Sequence, residues 1–111
     1  MKRTKAFALD IVRFVEELPS GKTADVMGRQ LLRSATSVGA NYRAACRARS
    51  KADFVNKLGL VEEEADESRY WLELLTETAV VQPSLTNTLS TEADEITAMV
   101  VASIKSTRRG M

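Results

Sequence analysis

Residues 33–54, RSATSVGANYRAACRARSKADF, contain the end of one amphipathic segment, a break and the start of the next. Apolar and small residues around the first part recur at alternating spacings of four and three, at Leu31, Ala35, Val38, Tyr42 and Ala45. That spacing predicts a helix with one buried seam. Ser50 is followed three residues later by Asp53, which resembles a capping box with a short acid in place of glutamate. A new helix is therefore predicted to begin at residue 51.

The rest of the chain repeats this pattern on either side of two further breaks, Pro19-Ser20-Gly21 and Gln82-Pro83-Ser84. No segment alternates strictly, as a half-buried strand would. The predicted helices span about 3–18, 23–48, 51–81 and 86–107. Short connections make neighbouring helices antiparallel, so residues 1–111 are predicted to form one all-α domain, an up-down-up-down four-helix bundle.

Composition restricts the chemistry that this chain can perform. Among 111 residues there is no histidine and one cysteine, so histidine-dependent triads, Glu-x-x-His di-iron sites and structural zinc sites are excluded. No glycine-rich phosphate loop is present. We expect a protein that is not an enzyme and that uses no cofactor or metal. The single cysteine favours a reducing compartment, and no apolar run reaches the length of a membrane span. A cytoplasmic location without membrane contact is predicted.

The two central helices differ in charge. Residues 22–51 contain seven lysines and arginines against one acid, whereas residues 53–77 contain eight acids against two bases. A hairpin that turns near Ser50 pairs residue i with about 100 − i. Arg33 then lies beside Glu67, and we interpret these two residues as a structural ion pair.

The bundle topology also predicts a separation of charge along the molecule, although the net charge is only +1. The start of helix one, the turn between helices two and three and the finish of helix four meet at one end, called here the basic end. The candidate nucleic-acid-binding residues there are Arg43, Arg47, Arg49, Lys51, Lys105, Arg108 and Arg109. Lys2, Arg3, Lys5 and Lys57 are expected beside them. Eight acids, among them Glu92, Asp94 and Glu95, are expected at the other end.

Two interpretations of the basic end remain open. Its cations could contact the phosphates of RNA or DNA, or they could complement helix dipoles. The second interpretation accounts for bases at helix finishes but not for Lys2, Arg3 and Lys5 at a helix start.

Helix three carries apolar residues outside its seam, at Tyr70, Trp71 and Leu74. These residues are candidates for an oligomer interface, and a wider core stripe is the alternative. They also support a second functional hypothesis, a scaffold that docks a partner protein on an apolar face.

The central helices resemble the four helix bundle protein family, also called 23S rRNA intervening-sequence proteins, over nearly the whole chain. The family pattern matches here at Arg33-Ser34-Ala35, Ser37-Val38, Asn41, Ser50, Asp53-Phe54 and Glu67-Ser68-Arg69-Tyr70-Trp71-Leu72.

The resemblance implies properties that the spacing of apolar residues does not indicate. Family members look like ring-shaped homopentamers, and some are encoded within insertions in 23S rRNA genes. A related branch, the accessory variability determinant of diversity-generating retroelements, partners a reverse transcriptase and binds nucleic acid through a basic surface. Self-association, RNA or DNA and a reverse transcriptase are therefore the partners that the resemblance suggests.

Overall fold

The computed structural model describes residues 2–111, which form four α-helices: α1 Lys2–Glu16, α2 Lys22–Cys46, α3 Lys51–Glu77 and α4 Pro83–Arg109. Each helix packs on its neighbours in chain order, and α1 also packs on α4. This arrangement confirms the antiparallel four-helix bundle, which measures 48 × 19 × 19 Å. Over the described residues, none of the helices combines the length and the apolar composition needed to cross a membrane.

The two ends of α3 are determined by local hydrogen bonds. The Ser50 side chain accepts a hydrogen bond from the Asp53 N–H at 3.0 Å, which confirms the predicted cap. At the other end Ala79 has φ 61, and Val80 N–H donates to Leu75 O at 3.1 Å. This is a Schellman closure with alanine where glycine is usual. The helix therefore ends at Glu77, four residues before the predicted end. Ala79, which continues the spacing of Leu72 and Leu75 in the sequence, is exposed.

The predicted seams meet along the bundle axis and form the core. Phe7, Ile11, Leu31, Leu58 and Leu72 are at most 1% exposed, and Val61, Ala65, Ile96 and Val100 are fully enclosed with them. Near the finish of α4 the core position belongs to Ile104, whereas Ser103 is half-buried. Packing of these faces, rather than helix propensity, is what stabilises helices of this length in a small domain.

Helix α1 is the short member of the bundle, with 15 residues against 25 to 27 in the other three. Its first turn lies beside Gly39, where an added Cβ would be 3.6 Å from Thr4 O. Gly39 is seven residues before the finish of α2. The start of α1 therefore lies part of the way along the bundle and not at its end.

Two glycines inside helices have opposite surroundings. A Cβ at Gly28 would be 3.0 Å from Leu18 Cδ1 and 3.4 Å from Val15 Cγ1, so glycine allows the end of α1 to approach α2 closely. A Cβ at Gly59 would meet nothing within 4 Å. Within the described residues, Gly59 therefore has no neighbour whose close approach would require glycine.

Candidate nucleic-acid interface

The opposite charges of α2 and α3 form a bridge between those helices. Arg33 Nη2 contacts Glu67 Oε2, and Arg33 Nη1 lies 3.1 Å from Glu64 Oε2. The Trp71 indole N–H donates to the same Glu67 oxygen at 3.1 Å. Arg33 is thus held by two carboxylates of its own chain, in the register that the hairpin predicts, and is not available as a free cation.

This bridge changes the protonation of Glu67. The hydrogen bond from Trp71, assisted by Arg33, lowers the pKa of the Glu67 carboxyl below its ordinary value. The same contacts raise the pKa of Arg33, chiefly through its hydrogen bond to Glu67. Both groups therefore stay charged at neutral pH.

The residues that directly follow Arg33 and Glu67 form a buried polar contact between the two helices. Ser34 Oγ and Ser68 Oγ lie 2.9 Å apart, and both residues are fully buried. Ser34 Oγ also reaches Leu31 O at 3.1 Å, and Ser68 Oγ reaches Glu64 O at 2.9 Å. The residues of the Arg-Ser and Glu-Ser-x-Tyr-Trp segments therefore contact one another, and their evident role is to align α2 with α3.

Arg3 does not belong with the free cations of the basic end. Its Nε lies 2.7 Å from Glu92 Oε2 and its Nη2 lies 2.5 Å from Glu95 Oε2, so residues expected at opposite ends form ion pairs. The hydrogen bond from Arg3 lowers the pKa of Glu92. The expectation is wrong because α1 is short and starts beside the middle of α4. The charge of Arg3 is thereby neutralised.

The acids of α4 are further engaged by α3. Arg69 Nε lies 2.8 Å from Asp94 Oδ1, and its terminal nitrogens lie 3.8–3.9 Å from Glu73 and Asp66. Asp94 and Glu95 therefore neutralise cations of neighbouring helices instead of contributing to an acidic end.

The predicted nucleic-acid-binding residues are exposed and form no ion pair within residues 2–111, but they occupy three surfaces rather than one. Arg43 and Arg47 line a groove between α1 and α2. Arg49 and Lys51 line a cleft at the tip, where Lys51 Nζ donates to Gly110 O at 3.1 Å. Lys105 and Arg108 line a groove between α3 and α4, and the neighbouring Arg109 is exposed at the finish of α4.

The groove between α1 and α2, called here the α1/α2 groove, has a volume of about 520 Å³. Over the part of the chain that the structure describes, its charged lining consists of the cations Lys2, Lys5, Arg43 and Arg47. Its remaining residues are small, Ala8, Thr36, Gly39 and Ala40. The sequence predicted that Lys2 and Lys5 lie at the basic end but not that they belong to the site. The spacing of apolar residues within α1 does not indicate how far α1 is shifted along α2, and this shift brings the two lysines beside Arg43 and Arg47.

The groove between α3 and α4, called here the α3/α4 groove, is larger, about 640 Å³, but mixed in charge. Asp53 and Glu62 lie there with Lys105 and Arg108. Asp53 Oδ1 also lies 3.6 Å from Lys57 Nζ. A polyanion at this surface would meet two carboxylates, so the two grooves are electrostatically unequal.

The candidate interface residues of α3 are only partly free. Trp71 packs against the core and Leu74 is half-buried, as a wider core stripe requires. Tyr70 is 51% exposed, and its ring meets Trp71 edge-on with centroids 5.0 Å apart. Of the three residues, Tyr70 offers the most surface to another molecule.

Comparisons with known proteins agree with this architecture. A crystal structure of a protein of unknown function from the S23 ribosomal protein family of Bacteroides thetaiotaomicron VPI-5482 is 37% identical to this chain. The match covers 94% of this chain and 96% of that one, with a TM-score of 0.86. Comparison with curated proteins gives no match. A model of the 23S rRNA-intervening sequence protein family matches residues 1–102. The chain therefore belongs to the 23S rRNA-intervening sequence protein family.

Proposed function

We propose that this protein associates with nucleic acid by contacting the phosphate backbone through its basic end, without catalysing a reaction. The observation that carries the proposal is the distribution of ion pairs. Arg3, Arg33 and Arg69 each contact two or more carboxylates, whereas the seven candidate nucleic-acid-binding residues of the basic end contact none within the described residues. Unpaired arginines and lysines on one part of a surface are the usual footprint of phosphate binding.

The family context supports the same direction. The family is named for an intervening sequence of 23S rRNA, and the similar crystal structure is assigned to a ribosomal protein family. From the family resemblance we further propose that the protein assembles as a homopentamer in the cytoplasm. Five basic ends on one rim would add their fields, although each subunit carries a net charge of only +1.

The proposal is tested by fluorescence anisotropy with labelled single- and double-stranded RNA and DNA across a salt series. The test variant is Arg43→Gln/Arg47→Gln/Arg49→Gln, and the control, Arg13→Gln/Lys22→Gln/Arg29→Gln, removes the same charge from the opposite half. Light scattering measures the oligomer mass of each. We expect binding that weakens with salt and that is lost in the test variant alone. Absence of binding by the unaltered protein at physiological salt would refute the proposal.

A second candidate function is a scaffold that docks a partner protein, and the exposure of Tyr70 favours it. In this case Tyr70→Ser would abolish capture of the partner and leave nucleic-acid binding unchanged. The resemblance points to a reverse transcriptase as the partner to test first. Retention of that enzyme by immobilised protein in high salt, together with weak, salt-insensitive nucleic-acid binding, would favour the scaffold over the phosphate-binding function.

A further inference from the structure

We infer that the α1/α2 groove holds a single strand of nucleic acid by its phosphates and makes no specific contact with the bases. This inference rests on the proposed function and goes further by assigning the groove, the strand form and the absence of sequence preference. It also adds Lys2 and Lys5, which come from α1, to a site otherwise formed by α2.

The walls of the groove supply the cations. Arg43 lies in the last turn of α2 and Arg47 is the capping residue that follows it, and Lys2 and Lys5 are three residues apart on the first turns of α1. All four side chains are exposed, and none pairs with a carboxylate within residues 2–111. The acids Asp10, Glu92 and Glu95 are paired with other arginines: Arg13 contacts Asp10, and Arg3 contacts Glu92 and Glu95. The groove therefore presents four uncompensated positive charges on two facing helices.

The floor of the groove consists of small side chains, which leave room above the contact between the two helices. Ala8, Gly39 and Ala40 have side chains no larger than a methyl group, and α1 approaches so closely that Thr4 O would be 3.6 Å from a Cβ on Gly39. The helices therefore touch, and the groove is a surface channel of about 520 Å³ above that contact. A duplex, whose major groove alone is about 12 Å wide, is too broad to lie within a channel of this size and would touch only its rims. A single strand can lie along the channel with its phosphates toward the cations.

The lining also restricts the kind of recognition. Among residues 2–111 no aromatic side chain lines the groove, and aromatic stacking is the main sequence-tolerant contact that bases make with proteins. Among the described residues neither asparagine nor glutamine lines it, so the amide side chains that read adenine are absent, and Arg43 and Arg47 are assigned to phosphates and not to guanine edges. Binding should therefore depend on phosphate charge and be nearly equal for strands of different sequence.

The number of cations sets the expected salt dependence. Four phosphate contacts to a single strand give a slope of log K against log salt of about −3. Between about 50 and 200 mM salt the affinity should then fall about 50-fold. Loss of two of the four cations should reduce the slope to about −1.5.

The test uses a labelled single-stranded oligonucleotide, a duplex of equal length and three variants of the full chain. Arg43→Gln/Arg47→Gln and Lys2→Gln/Lys5→Gln each remove two charges from the groove, one pair from each wall. Lys22→Gln/Arg29→Gln removes two exposed charges from the opposite half of the bundle, outside the candidate site, and is the matched control. Glutamine has a helix propensity close to that of arginine and lysine, and circular dichroism checks that each variant remains folded.

We expect both groove variants to halve the slope for the single strand and the control to keep it, with two strands of different sequence behaving alike. Equal loss in the control and groove variants would overturn the groove assignment, because the affinity would then follow the overall charge of the protein and not the position of the cations. An unchanged Lys2→Gln/Lys5→Gln variant, or a duplex bound as tightly as the single strand, would also overturn it. If the unaltered protein binds neither probe, both the function and the groove assignment fail.

Discussion

Gly59 provides a quantitative test of the packing described above. It lies in the interior of α3, and a Cβ added there meets nothing within 4 Å. Glycine in a helix interior is less favourable than alanine by about 1 kcal/mol, because it loses more conformational freedom on folding. Gly59→Ala should therefore raise the free energy of unfolding by about 1 kcal/mol. For a domain near this size that is an increase in Tm of about 4–8 °C.

Gly28 is the matched control, since it is also a helical glycine and the same methyl group is added. Here the new Cβ would be 3.0 Å from Leu18 Cδ1 and 3.4 Å from Val15 Cγ1. Overpacking of this kind costs about 1–3 kcal/mol, which offsets or exceeds the gain in propensity. Gly28→Ala is expected to leave stability unchanged or to lower it by up to about 2 kcal/mol. The two variants should differ by at least about 1 kcal/mol.

Urea unfolding followed by circular dichroism measures both variants, and equal m-values show that the comparison concerns stability alone. Two protein concentrations are needed, because self-association would make stability depend on concentration. Gly59→Ala no more stable than Gly28→Ala would refute the reasoning. A Gly59→Ala variant that is stable only as a smaller particle would instead show that a second copy packs against Gly59.

Three further outcomes follow from the ends of α3 and from its bridge to α2. Ala79→Gly should stabilise the fold by about 0.5–1 kcal/mol in thermal unfolding, because alanine at φ 61 is strained and glycine is not. Ser50→Ala should cost about 1 kcal/mol in the same assay, since the Asp53 N–H loses its acceptor, and Ser50→Thr should recover most of it. The pKa of Glu67 is lowered in the fold, so its stabilising contribution is complete above the ordinary glutamate pKa of about 4.3 and is lost as pH falls through the lowered value. Trp71 fluorescence should therefore titrate below pH 4.3, and Glu67→Gln should abolish that transition; a transition retained in the variant would contradict the assignment.

Spacing within one helix was sufficient to predict the bundle, since a seam of alternating three and four residues determines which face is buried whatever lies opposite. The hairpin register also placed Arg33 beside Glu67, because α2 and α3 are joined by a short turn that fixes their relative height. The Ser50 cap is equally local. These features depend on a few neighbouring residues or on one tight connection, and both can be recognised from the sequence.

The position of α1 along the bundle was not accessible in the same way. It depends on how the connection at 17–21 directs the chain and on the close approach at Gly28, which periodicity does not encode. The error placed Arg3 at the basic end and left Lys2 and Lys5 outside the candidate site. Ala79 shows a second limit. Its side chain continues the three-and-four pattern, but the backbone has already turned into a left-handed conformation.

The contact of Arg3 with α4 also has a consequence for the order of folding. Arg3 and Glu92 are 89 positions apart, whereas Ser34 and Ser68 are 34 apart. Closing the longer loop costs about 0.9 kcal/mol more entropy, so we expect the α2/α3 hairpin to form first and α1 to dock on α4 after the rate-limiting step. Stopped-flow kinetics with Trp71 as the probe should then show that Arg3→Gln accelerates unfolding and leaves the refolding rate unchanged. Slower refolding would place this contact in the transition state instead.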